Sequence, residues 1–241
     1  MNLVIDIGNT QCKLAVFKEG SMIHSQTVLT ETTDTIQTLK QRYPAILQCV
    51  ISSVESDLGV VPDTLRKLNI SYLVLNQNLK FPFDINYNTP QTLGNDRLAS
   101  AAGAYALHPN KDILVIDAGT AITFDLITQK EGYLGGNISP GLEMRYKALH
   151  MFTDKLPLQS KNNNHKLIGK STNEAITSGV QNGLIFEIDG YLTKIGEKYP
   201  QLTVLLTGGD AQFFDNKLKK TIFAIPNLTL LGLNFILEYN A

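Results

Sequence analysis

Two stretches of the chain carry the same pattern of apolar and polar positions. Leu3-Val4-Ile5-Asp6 runs into Gly8, and Leu114-Val115-Ile116-Asp117 runs into Gly119. Apolar residues then resume as Leu14, Ala15, Val16 and Phe17 in the first and as Ile122, Phe124, Leu126 and Ile127 in the second. A short apolar run ending in Asp-x-Gly reads as a strand whose last side chain leaves the core beside a backbone free to take φ > 0. The pattern predicts two β-hairpins built alike. A tight glycine turn exposes N–H groups that cradle phosphate oxygens, and a neighbouring carboxylate holds a hydrated cation. Two such turns facing each other make a nucleotide clamp, whereas one alone serves equally as an ordinary hairpin turn.

Beyond the first hairpin, periodicity predicts a helix over Asp34–Arg42, a strand over Ile46–Ser52, a helix over Leu58–Leu68 and a strand over Ile70–Leu75. This alternation is α/β with a partly parallel sheet. The Pro- and Asn-rich segment Phe81–Pro90 leads into a helix from about Asn95 to His108, with Leu98, Ala101, Ala102 and Tyr105 on one face. Small residues there permit close helix packing. Pro109, Asn110 and Lys111 mark a boundary between domains 1–109 and 110–241. In the second half, Gly135-Gly136-Asn137-Ile138-Ser139-Pro140-Gly141 reads as a glycine-rich turn before a helix with Leu142, Arg145, Tyr146 and Leu149, Pro140 suiting its first turn. Val180, Leu184, Ile188, Tyr191 and Ile195 form a helical stripe. Gly183 and Gly190 inside it predict close backbone approach to another helix or subunit. Val204–Leu206 is a buried strand ending in a third glycine turn, Thr207-Gly208-Gly209-Asp210.

Composition narrows the function. A formal net charge of −1 over 241 residues leaves no basic field for nucleic acid or anionic lipid, so selectivity must come from a site. Cys12 and Cys49, the only cysteines, lack metal or redox spacing and read as small core residues in a reducing cytosol. The N-terminus reaches Asp6 and Asn9 before a signal-peptide core forms, and Asn234 breaks the short apolar run Leu228–Leu237. A soluble, cytoplasmic protein is expected. His24, His108, His150 and His165 are isolated, with no metal spacing.

Chemistry concentrates at Gly94-Asn95-Asp96-Arg97, at a helix start. An Asp there suits the positive helix end and is common for structural reasons alone. A cation in the same turn is disfavoured by the dipole, so Arg97 points to an anionic partner such as a carboxylate or phosphate.

Taken in order, Asp6-Ile7-Gly8-Asn9-Thr10, Gly94-Asn95-Asp96-Arg97, Asp117-Ala118-Gly119-Thr120, Gly135 to Gly141 and Ser171-Thr172-Asn173-Glu174-Ala175-Ile176 resemble the type III pantothenate kinases over nearly the whole chain. Any one motif is weak, since acid-glycine-threonine turns occur throughout the acetate and sugar kinase, heat-shock chaperone and actin superfamily; the ordered set is specific. The resemblance implies an α/β actin-like fold of two ribonuclease H-like domains with a nucleotide cleft between them. It implies transfer of the ATP γ-phosphate to the primary hydroxyl of pantothenate, giving 4'-phosphopantothenate in the first step of coenzyme A synthesis. It further implies a homodimer using magnesium and a monovalent cation, potassium or ammonium. Position by position, Asp6, Ile7, Gly8, Asn9, Thr10, Gln11, Cys12 and Lys13 would form the ATP loop, Asp6 holding magnesium through water, and Thr120 would touch ATP. Asp96 would be the general base or hydroxyl-orienting group. Tyr87, Gly94, Asn95, Asp96, Arg97 and Thr172 would surround pantothenate, Thr172 reaching across the dimer, and Asp117 would bind the monovalent cation. Asn95 stands where the family often has a small apolar residue.

The bland readings are an outward strand residue for Lys13, loop packing for Tyr87 and a helix N-cap for Thr172. Two rival functions remain at this stage. A non-catalytic nucleotide-binding regulator keeps Asp6 and Gly8 but has no need of Asp96 and Arg97. A sugar or acetate kinase shares the phosphate loops but leaves the Gly94–Arg97 and Ser171–Ile176 motifs unexplained.

Overall fold

A computed structural model describes residues 1–8, 11–29, 32–54, 57–214, 217–220 and 222–241. The first half holds β1 (Asn2–Ile7), β2 (Cys12–Lys18), β3 (Ser21–Val28), α1 (Thr32–Arg42), β4 (Gln48–Ser53), α2 (Val61–Lys67), β5 (Ser71–Val74) and α3 (Asn95–Leu107). The second holds β6 (Ile113–Ala118), β7 (Ala121–Thr128), β8 (Gly132–Pro140), α4 (Leu142–Met151), α5 (Thr172–Lys198), β9 (Thr203–Thr207), α6 (Ala211–Phe214), β10 (Phe223–Ala224) and α7 (Leu228–Tyr239).

The repeat read from the pattern extends to the topology. One five-stranded sheet runs β3-β2-β1-β4-β5 and the other β10-β9-β6-β7-β8. In each, the first strand pairs antiparallel with the second and parallel with the fourth. Met1–Pro109, Lys130–Tyr133 and Asn227–Ala241 form one compact unit, and Asn110–Gln129 with Leu134–Pro226 the other. The division is therefore not a single cut after residue 109. Helix α7, placed by the sequence reading in 110–241, groups with the first unit because Leu230, Leu233, Ile236 and Leu237 share a core with Val4, Phe17, Val50, Ala99 and Ala102. The opposite sheet face buries Leu3, Ile5, Leu14 and Ile51 with Ile36, Leu39 and Leu65 of α1 and α2. In the second unit, Leu114, Ile116, Phe124 and Leu206 pack under Leu142 and Tyr146 of α4 and Val180, Leu184, Ile188 and Leu192 of α5.

Several local expectations change. The predicted turn Gly135–Gly141 is largely strand β8, in which a Cβ on Gly136 would overlap the Phe124 carbonyl, so the glycine serves close strand approach. Pro140 closes that strand, and Gly141 caps α4. The stripe on α5 covers its own sheet, and Gly183 and Gly190 meet no other helix of the same chain, which leaves approach to another subunit as their remaining reading. Within the chain, the close packing expected of the small residues of α3 occurs against α7, where a Cβ on Gly232 would overlap the Ala99 carbonyl and one on Gly103 would lie 2.5 Å from the Leu228 carbonyl. The N-cap of α5 is Ser171, whose hydroxyl accepts from the Glu174 amide at 3.3 Å, and not Thr172. Cys12 and Cys49 are free and buried, as the pattern predicts. Among the described residues no helix is long and apolar enough to cross a membrane.

Candidate functional site

In the first unit the site grows from the strand ends. Side chains alternate across a strand, so Asp6 shares the α3-facing side of β1 with Val4. Lys13 is directly opposite Asp6 on β2, and Ser52 opposite on β4. The Gly8 amide donates to the Gln11 carbonyl at 3.0 Å, closing the loop between β1 and β2. Asn9 and Thr10, expected in that loop, lie outside the described residues. Gln11 and Lys13 are exposed, whereas the Ile7 and Cys12 side chains pack into the core, leaving only their backbones to the loop.

Helix α3 brings its first turn to these strand ends. Asn95 Nδ2 donates to the Ser53 carbonyl at 3.3 Å, which gives the polar residue at this position a structural task. The exposed Asp96 carboxylate accepts from the Arg97 amide at 2.8 Å, in space that a Cβ on Gly94 would enter at 2.5 Å. Burial pushes the Asp6 carboxyl above its ordinary range, opposed by a hydrogen bond from Ser52 and the Lys13 charge, and the negative charge of Asp96 pushes it further up. Asp6 and Asp96 thus come within electrostatic reach of each other. Arg97 is 6% exposed, its guanidinium 5.9 Å from the Tyr87 ring centroid. One unit therefore assembles Asp6, Lys13, Tyr87 and residues 94–97.

The second unit holds Asp117, Thr120 and Thr172. The Gly119 amide donates to the Ala121 carbonyl at 3.0 Å, and the Gly141 amide at the head of α4 donates to the Thr120 carbonyl at 3.0 Å. Thr120 is exposed beside that helix start. Gly208 of the third glycine turn, at φ +95°, lies against Asp117, and a Cβ there would overlap its carboxylate. Thr123, opposite Asp117 in the ladder, donates to the buried Asp125 carboxylate at 3.0 Å. With its only proton committed, the Thr123 hydroxyl has lone pairs left to offer. Thr172 is exposed in the first turn of α5. A pocket of about 320 Å³ next to the third glycine turn is lined by Leu142, Tyr146, Leu158, Lys161 and Asp210. Burial pushes the Tyr146 hydroxyl up to about 12 despite a hydrogen bond with Thr177, so it remains a donor, to Gln181 at 2.9 Å.

Ser52, Thr123, Asp125 and Gly208 join the candidate site only in the folded structure. Only Gly208 had a local signal, its glycine turn; the others become visible through strand register. Among the described residues no group of three or more His, Cys, Asp or Glu could hold a metal ion by itself.

The sequence profile of the type III pantothenate kinases matches residues 2–194. The chain belongs to this family. A type III pantothenate kinase from Christiangramia forsetii is 46% identical over 241 residues, covering 100% of this chain and 99% of the relative. Another from Phocaeicola vulgatus is 45% identical over 240 residues, covering 100% and 99%. Among solved structures, a Campylobacter jejuni protein assigned to the Baf family of transcriptional activators aligns with a TM-score of 0.65 at 24% identity over 99% of this chain and 98% of its own. A glucokinase from an Antarctic psychrotroph aligns with a TM-score of 0.57 at 12% identity over 99% and 98%. These likenesses establish the fold, a two-domain α/β architecture of the actin-like sugar-kinase type, to which the kinase family adds the phosphotransferase chemistry.

Proposed function

We propose that this type III pantothenate kinase uses ATP to phosphorylate the primary hydroxyl of pantothenate, with Asp96 as the base or orienting group. The observation that carries the residue assignment is the seating of the head of α3 on the strand ends, where Asn95 bonds the Ser53 carbonyl one residue from Ser52, the ladder partner of Asp6, with Arg97 and Tyr87 alongside Asp96. The hydroxyl oxygen forms a bond to the γ-phosphorus as the bond to the bridging oxygen breaks; ADP leaves and Asp96 takes the hydroxyl proton. Phosphoryl transfer is loose and charge-spread, so alignment supplies most of the catalysis, and a placed carboxylate contributes about 10²–10⁴-fold. The loop Asp6–Lys13 and Thr120 engage ATP, and the pocket beside Asp210 has room for its base. Gly94 and Asn95 join Tyr87 and Arg97 around pantothenate, whose carboxylate suits an arginine, and Thr172 reaches in across the dimer. A coupled assay comparing pantothenate with sugars, acetate and no acceptor tests this reading. ADP release should require pantothenate, and equal release with a sugar or without acceptor overturns it.

The residues fit the expected cations. Asp6 is a carboxylate of raised pKa beside a second acid, the arrangement a divalent ion neutralises, and one or two carboxylates with phosphates and waters are the usual magnesium set. Asp117 and Thr123 offer hard oxygen donors to a monovalent ion, in a place kept open by Gly208. When bound, these ions neutralise polyphosphate charge. Turnover at fixed magnesium is expected to be higher in potassium than in sodium-only buffer, and Asp117→Asn to abolish the difference. Equal wild-type rates in both, and with neither ion, would remove this role from Asp117.

The homodimer belongs to the same proposal. The outward face of α5 carries Gly179, Gly183 and Gly190, all with open space, and a 56%-exposed Phe186, while Leu167 and Ile168 nearby in sequence are also exposed. Such an apolar face with small residues suits a second copy. Light scattering should give about twice the chain mass, and Phe186→Asp about once. A fully active monomer at nanomolar concentration contradicts it.

A further inference from the structure

The turn joining β7 to β8 groups with the first unit, although its flanking strands belong to the second sheet. There it straps the segment that carries Tyr87. The Tyr133 amide donates to the Asp84 carbonyl at 2.8 Å, the Asn86 amide donates to the Tyr133 carbonyl at 2.9 Å, and Asn86 Nδ2 donates to the Glu131 carbonyl. Ile85 and Tyr133 form a parallel bridge. Gly132, at φ +74°, allows the contact, since a Cβ there would overlap the Asp84 backbone. The Tyr133 side chain is fully buried and meets the Tyr87 ring edge-on, centroids 6.2 Å apart, while the Arg97 guanidinium lies 5.9 Å from the centroid of the same Tyr87 ring.

We infer that Tyr133 is a positioning residue for the acceptor alcohol, acting through Tyr87. The inference rests on the reading that Tyr87 lines the pantothenate pocket. A residue in the loop 84–87 has no regular structure of its own to hold it, and an open loop must pay ordering entropy each time the acceptor binds. The backbone bridge fixes the loop at residues 84–86, and the buried ring of Tyr133 fixes the rotamer of Tyr87 one step further on. Edge-to-face aromatic contacts are geometrically selective, so an aliphatic side chain at 133 retains burial but loses the orientation.

The test is a double-mutant cycle on the full-length enzyme, varying pantothenate at saturating ATP and, separately, ATP at saturating pantothenate. Tyr133→Leu is expected to raise the pantothenate KM about 3- to 10-fold, the range of one aromatic contact, with the ATP KM unchanged. Tyr133→Phe, which keeps the ring, should restore it. The double variant with Tyr87→Ala should be no worse than Tyr87→Ala alone, because Tyr133 acts through that ring. Asn86→Ala, exposed and safe for folding, should raise the same KM in the same direction. Additive effects in the cycle, or an unchanged pantothenate KM in folded Tyr133→Leu while Tyr87→Ala raises it, overturn the positioning role alone. If Tyr87→Ala leaves that KM unchanged, the acceptor role of Tyr87 falls, and the inference with it.

Discussion

Asp96→Asn is expected to lower kcat by about 10²-fold or more while ATP affinity changes little. The amide retains an oxygen for the Arg97 N–H, and the side chain is exposed, so neither the first turn of α3 nor the core loses a contact. What disappears is the charge that accepts or orients the hydroxyl proton. The loop from Asp6 to Lys13 is untouched, though the Asp6 carboxyl should titrate lower, because burial still raises its pKa but the neighbouring negative charge no longer does. Turnover and melting temperature measured on one preparation decide the matter. Near-normal turnover, with a lowered melting temperature in the same sample, would make Asp96 a structural cap and sink the catalytic assignment.

Gly232→Val should produce the largest loss of stability. At this crossing the α3 and α7 backbones approach so closely that a Cβ meets the Ala99 carbonyl and the Gly103 amide, and neither backbone group can swing aside as a side chain would. The helices must separate, opening the core shared by Ala99, Ala102, Leu230 and Leu233. Overpacking of this kind costs about 1–3 kcal/mol and more where the obstacle is backbone. For a chain of this size that is a fall of roughly 2–12 °C in Tm, towards the upper end because the obstacle is backbone. Turnover should fall too, since α3 carries Asp96. Calorimetry giving a Tm within about 2 °C of wild type would show that the two helices are not held at this distance.

The contrast between these glycines shows where sequence reading stops. Gly183 and Gly190 stand inside an apolar stripe and invite the inference of close packing within the chain, yet both face outward, because the stripe lies on the opposite side of α5. Gly103 lies in a helix whose small residues do signal close packing, but its partner, Gly232, is 129 positions away and only the fold names it. Strand β3 has no signature in the pattern for a related reason: its polar, alternating Ser21–Val28 has no apolar run, and it is held as an edge by pairing with β2. The Gly135–Gly141 segment reads as punctuation but is strand as far as Pro140, and Gly136 within it answers to the neighbouring β7 rather than to local turn preference.

The sequence by itself determined the duplicated strand-turn-strand units, the sites of Asp6, Asp96 and Asp117 at element ends, and the order of motifs that marks the kinase family. Those features are local: a strand's period, a glycine turn and a helix start are each written in a few consecutive residues. Tertiary structure alone decided that α7 returns to the first unit, that Gly208 and Thr123 attend Asp117, and that the β7–β8 turn holds the loop of Tyr87. Each depends on register between strands or on packing between distant segments, where burial and backbone hydrogen bonds from many residues choose one partner among many that local propensity leaves equally open.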